Sequence, residues 1–161
     1  MIKFINKGGE DISEYLDDKL GSGTSNYGYM SKFIKKIPNN VTVSGTDLGY
    51  CFAYCSNITE LPYFDTSNVT SIAVMCKNCS NLVTVPTYNT GKVTNFSNMF
   101  QSCPSLSSES LNNILAMCIG ATSYTNTKTL AKLGLTEAQA TICEGLSNYQ
   151  DFLTAGWTTG Y

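Results

Sequence analysis

The sequence predicts an α/β solenoid of about three to four stacked coils closed by helical caps. Three observations carry that expectation. The first is a repeat with a period of 24 residues: Asp47 to Pro62 reads against Ser71 to Pro86, and the pattern returns from Asn95 to Leu106. The second is an apolar stripe at i, i+3, i+4 and i+7 in every repeat, followed by a short strand-like Leu/Ile-x-x-Leu/Val-Pro. The third is that helix-capping patterns lie outside the repeats, at both ends of the chain.

Residues 1–29 are expected to form an N-terminal cap helix and linker. Asp11-Ile-Ser-Glu14 is a capping-box pattern that opens a helix with Ile12, Tyr15, Leu16 and Leu20 on one side, and residues 21–28 follow as a Gly/Ser-rich link. Residues 30–106 are expected to be the solenoid. Its stripes are Leu48, Cys51, Phe52 and Cys55, then Ile72, Met75, Cys76 and Cys79, then Phe96, Met99, Phe100 and Cys103. Each reads as one face of a short helix, with Thr46, Thr70 and Thr94 placed to cap its start. Pro38, Pro62 and Pro86 lack a ladder donor and limit each strand, after which Asp65–Asn68 and Asn89–Lys92 turn the chain back. An earlier partial copy, Ile34-Lys-Lys-Ile37-Pro38, shares the strand columns. Residues 107–161 are expected to be a helical C-terminal cap. Leu111, Ile114, Leu115, Cys118 and Ile119 make one stripe closed by Gly120, and Thr136-Glu-Ala-Gln139 opens a second helix running to about Leu146. The tail from Phe152 to Trp157 is expected to pack back as a cover.

Composition narrows the function. With 42% hydrophobic and 14% charged residues the chain can bury a core. All of its basic residues are Lys, so it has no guanidinium fork for phosphate or guanine, and nucleic-acid binding is disfavoured. No His is present, which removes Ser-His-Asp, Cys-His and His-metal chemistry. The opening Met1-Ile-Lys-Phe4 begins no apolar signal region, and no apolar run approaches a membrane span. A cytoplasmic protein with free thiols is therefore expected. The sequons at Asn40, Asn57, Asn68, Asn78 and Asn95 read as by-products of Asn/Thr-rich turns.

The segment Cys55-Ser-Asn-Ile-Thr-Glu-Leu-Pro-Tyr-Phe-Asp-Thr-Ser-Asn-Val-Thr70 and the shape Met99-Phe-x-x-Cys-x-x-Leu106 resemble the bacterial-surface-protein type of leucine-rich repeat. The resemblance covers roughly 30–106 and implies a leucine-rich-repeat solenoid. The opening Met-Ile-Lys-Phe-Ile-Asn-Lys-Gly, the block from Leu111 through Gln139 and the tail Ala155–Tyr161 are similar to parts of repeat proteins encoded by Firmicutes phages and prophages. That likeness implies a phage-encoded protein in the host cytoplasm or incorporated into the virion.

Zinc is the sharpest chemical candidate, because Cys51-x3-Cys55 and Cys76-x2-Cys79 mimic a four-cysteine ribbon. The repeat argues for core positions instead: Cys51 shares a column with Met75 and Met99, and Cys76 with Phe52 and Phe100. A redox reading of Cys76-Lys-Asn-Cys79 lacks a βαβ setting. Glu60 and Asp65 have no second acid in the next repeat, and Gly8-Gly9 and Gly21-Ser-Gly lack the strand–loop–helix setting of a phosphate loop. Neither a catalytic residue, a metal nor a cofactor is assigned. Binding is better supplied. If Leu61 and Tyr63 point inward, then Glu60, Pro62 and Phe64 point outward, as do Thr84, Pro86 and Tyr88, with Lys36, Pro38 and Asn40 in the partial repeat. Stacked, these make a ladder of Lys36, Glu60, Phe64, Thr84 and Tyr88 rimmed by the turn residues Asp65 and Asn89, with the composition of an interface hot spot. The competing reading tucks Phe64 and Tyr88 under a cap or turn. The expected role is a non-enzymatic protein-binding module. One use is tail-associated receptor binding; the alternative is intracellular inhibition of a host defence protein such as a CRISPR effector nuclease.

Overall fold

The computed structural model describes Ile37, Val43 and residues 45–161. The expected N-terminal cap and link, together with Lys36, Pro38 and Asn40, lie outside the described residues.

The 24-residue period reappears as physical spacing. Parallel bridges join Asp47 to Ser71 and Ser71 to Asn95 on one side of the molecule, and Glu60 to Thr84 on another. Equivalent residues of successive repeats therefore lie side by side, in register, as layers. Their apolar columns fuse into one core. Leu48, Ile72 and Phe96 are buried together, as are Ile58, Leu82 and Leu106, and Ile37, Leu61 and Val85.

The stripe segments are not α-helices, contrary to the sequence expectation. Their backbone N–H groups alternate between two kinds of partner. Those of Leu48, Tyr50, Phe52 and Tyr54 donate to the carbonyls of Ser71, Ala73, Met75 and Lys77 in the next layer, at 2.7 to 3.1 Å. Those of Cys51, Ala53 and Cys55 close tight turns onto Leu48, Tyr50 and Phe52. The second layer repeats both patterns. This run of turns needs a left-handed residue at every fourth position. Tyr50, Tyr54, Val74, Asn78, Asn98 and Ser102 supply it, with φ between 56° and 65°. The physical reason is competition for the same N–H groups. A helix this short is costly to nucleate, and Asn, Ser and Val are weak helix formers, so the ladder between layers takes the donors. Both arrangements bury the same stripe, which is why the spacing does not separate them.

The expected helix caps are redirected for the same reason. The Thr70 hydroxyl donates to the Thr46 carbonyl at 3.1 Å and that of Thr94 to the Thr70 carbonyl at 3.2 Å, so these threonines tie layers together.

Past Leu106 the chain closes the stack. α1 (Ser108–Gly120) buries Leu111, Ile114, Leu115 and Cys118 and is capped by Ser107, whose side chain accepts from the Ser110 N–H. α2 (Glu137–Glu144) starts in the capping box Thr136–Gln139 and ends at Gly145, and α3 (Tyr149–Thr154) buries Phe152. The cap supplies the partners a further layer would have supplied. The carbonyls of Lys132 and Leu133, in a 3₁₀ turn (Ala131–Leu133), accept from the N–H groups of Asn98 and Phe100. The Ser110 hydroxyl accepts from the Val85 N–H and donates to the Val83 carbonyl, both at 2.8 Å, and Asn113 donates to the Val85 carbonyl. An edge that would otherwise present bare backbone is thereby paired. Trp157 seals this end, 1% exposed, its ring stacked on Tyr124 at 5.2 Å. No helix among the described residues is long and apolar enough to cross a membrane.

Candidate functional site

The segment from Ile58 to Thr66 builds a surface face because its burial does not simply alternate. Ile58 is buried, Thr59 and Glu60 are exposed, Leu61 and Pro62 are buried, Tyr63 is exposed, Phe64 buried and Asp65 exposed. The ladder explains the break in period. Glu60 pairs with Thr84 in a single bridge, and the Leu61 N–H donates to the Thr84 carbonyl at 3.0 Å. Pro62 and its counterpart Pro86 have no N–H to continue the pairing, so it ends after that single bridge instead of running on as a strand.

The break in alternation at Leu61 and Pro62 corrects the ladder expected from the sequence. Phe64 and Tyr88 are core residues, 2% and 4% exposed, with ring centroids 4.7 Å apart. Tyr88 also spends its hydroxyl inside, donating to the Pro62 carbonyl at 2.8 Å. Pro62, expected outside, is buried, and Tyr63, expected inside, is 62% exposed. Glu60 and Thr84 do face outward and lie side by side. Asp65 and Asn89 are exposed too, but each has a side-chain oxygen committed to its own turn, accepting from the N–H of Ser67 at 2.9 Å and of Gly91 at 3.0 Å. The Ser67 backbone N–H holds the Asp65 carboxyl below the ordinary carboxylate range. Lys36 lies outside the described residues.

The face therefore comprises Glu60, Tyr63 and Asp65 beside Thr84, Thr87 and Asn89, preceded in each layer by the exposed Thr59 and Val83. Tyr63 is the residue that sequence reasoning missed. Tyr50 and Tyr54, 43% and 42% exposed, were also missed; they stand elsewhere, on the run of turns. The signal for those two was available, since they lie off the apolar stripe of Leu48, Cys51, Phe52 and Cys55. Tyr63 left no such sign, because strict alternation from Leu61 puts it inside, and that alternation breaks at Pro62.

The cysteines occupy core columns. Cys51, Cys55, Cys76, Cys79 and Cys103 are all buried. The Cys79 thiol donates to the Phe52 carbonyl at 3.1 Å and the Cys103 thiol to the Cys76 carbonyl at 3.0 Å, one layer back in each case. Burial pushes the Cys51 thiol well up, the Cys76 thiol up and that of Cys55 up to about 12. A thiol that stays protonated is a poor nucleophile and a poor metal ligand. Among the described residues no three of His, Cys, Asp and Glu converge as a metal site. An open cleft of about 460 Å³ lies between Asn78, Ser80, Ser102, Pro104 and Thr136, with Cys103 as its one titratable lining residue.

A family model described as Mycoplasma protein of unknown function, DUF285, matches residues 10–128. No curated protein and no solved structure matches the chain.

Proposed function

The chain belongs to the DUF285 family of Mycoplasma proteins of unknown function, and on that premise we propose that it is a leucine-rich-repeat solenoid that works as a non-enzymatic protein-binding module. Its contact face carries Glu60, Tyr63, Thr84 and Thr87. The observation that carries this reading is the contrast between columns. Buried columns keep their chemistry from layer to layer, as in Leu61 and Val85 or Phe64 and Tyr88, whereas the exposed columns change, from Glu60 to Thr84 and from Tyr63 to Thr87. A surface free to vary over a fixed core is what repeat scaffolds use for recognition. A large aromatic exposed at its centre is a typical anchor for such contacts.

Site-specific photo-cross-linking in the producing cell tests the face. A benzoylphenylalanine at position 63 should yield a discrete cross-linked species, and one at position 54, on the run of turns, should not. Cross-links from 54 with none from 63 would move the site to the turns. The use we favour is receptor binding by a phage-tail-associated protein, supported by the likeness of its terminal segments to phage-encoded repeat proteins. Mass spectrometry of purified virions beside the soluble lysate should then find the chain in virions. A purely soluble pool would favour an intracellular target such as a host defence protein.

A further inference from the structure

Tyr63 is an exposed ring with a fixed back. It stacks on Tyr88 with centroids 6.3 Å apart and planes at 22°. Tyr88 is held in turn by its hydroxyl bond to Pro62 and by Phe64, which leans on Phe52 at 6.1 Å. An aromatic relay therefore runs from the core to the surface, and a ligand meeting Tyr63 finds a ring that has little order left to lose. Asp65 is exposed two residues on, where extended chain returns to the same side. Its Oδ1 accepts from the Ser67 backbone N–H, and the Ser67 hydroxyl adds to that; both favour the charged carboxylate, which stays exposed. In the next layer stand the neutral Thr87 and Asn89. Lys92, further along the chain, donates to Asn68.

An electron-rich ring face beside a carboxylate is complementary to a cation, and most of all to a planar one that can stack and pair at once. We propose that this corner receives an arginine side chain of the protein partner, its guanidinium laid over the Tyr63 ring and hydrogen-bonded to Asp65. This assignment of partner chemistry rests on reading the face as the contact surface.

The test is an NMR titration of the ¹⁵N-labelled chain with the capped peptide acetyl-Gly-Arg-Gly-amide and with its citrulline counterpart, which keeps the shape and loses the charge. The arginine peptide should shift the amides of residues 60–65 and 87–89 and bind more tightly than the citrulline peptide. Tyr63→Ala should weaken it about two- to fivefold, as removing an exposed cation–π contact does, while Tyr63→Phe should retain it. Asp65→Asn, which keeps the turn acceptor, should weaken it as well. Equal binding of the citrulline peptide at these residues would overturn the cation and leave the contact face standing. Shifts elsewhere, no shifts, or indifference to both Tyr63→Ala and Asp65→Asn would overturn the proposal outright. Failure of the cross-linking at position 63 would instead remove the contact-face reading beneath it.

Discussion

Val74 holds a φ of 60°, a conformation in which a β-branched side chain crowds the neighbouring backbone. The same column carries Asn98 one layer on, at 56°, and Asn is one of the few residues that tolerate this region. Val74→Asn should therefore stabilise the fold by about 1 kcal/mol, read as a higher urea midpoint with unchanged slope. A lower midpoint would mean that packing of the half-buried valine outweighs its strain. The thiols make a second prediction at this scale. Burial raises Cys55 from 9.0 to about 12 and Cys143 from 9.0 to about 11. In the unfolded chain these groups lose their protons first, so the folded state binds more protons above the unfolded value and its stability falls as pH rises. The stabilising contribution is whole below about pH 9 and is lost progressively through pH 11 to 12. Melting temperature measured under reducing conditions should stay level from pH 6 to 8 and decline above 9. A level profile to pH 11 would mean that the thiols titrate no differently on unfolding.

At the scale of elements, the turn runs and α1 meet the same requirement by different means. Each layer needs acceptors for the alternate N–H groups of the layer before it. The stack ends only where something else provides them: carbonyls from the 3₁₀ turn on one side, the Ser110 hydroxyl of α1 on another. Ser110 is the key residue of that closure, 1% exposed and bonded to both Val83 and Val85. Ser110→Ala leaves the buried Val85 N–H unpaired, while the Val83 carbonyl keeps the Ser107 N–H, and should cost about 2 kcal/mol in urea unfolding. Ser110→Thr, which keeps the hydroxyl, should recover part of that loss. Gly134 shows how closely the 3₁₀ turn is applied. Its φ is 84°, and a Cβ there would stand 2.7 Å from the Gln101 nitrogen.

Across the whole molecule, the layers are bound mainly to their immediate neighbours, so one period should be removable. Deleting residues 71–94 brings the layer that starts at Asp47 against the one that starts at Asn95, with Thr59 and Leu61 taking the places of Val83 and Val85 beneath α1. The shortened chain should unfold cooperatively but at lower denaturant, having lost one interface between layers. Deleting half a period, residues 83–94, puts apolar columns against exposed ones and should leave no cooperative transition in circular dichroism. Cooperative folding of both deletions would show that register between layers is not what holds the core together.

Much of this was legible in the residues. Periodic identity at Cys55, Cys79 and Cys103 marked the 24-residue spacing, the stripes marked the buried columns, and Thr136 with Gln139 marked the start of α2. These features are local or recur at fixed distance, so one chain read alone displays them. Whether Leu48–Cys55 is a helix or a run of turns was decided by tertiary structure, because both bury the same stripe and only the neighbouring layer competes for the N–H groups. The placing of Tyr63 outside and of Phe64 and Tyr88 inside was decided the same way. Alternation assumes a continuous strand, and the pairing stops after the single Glu60–Thr84 bridge, so the sides are set by which ring finds a core to enter.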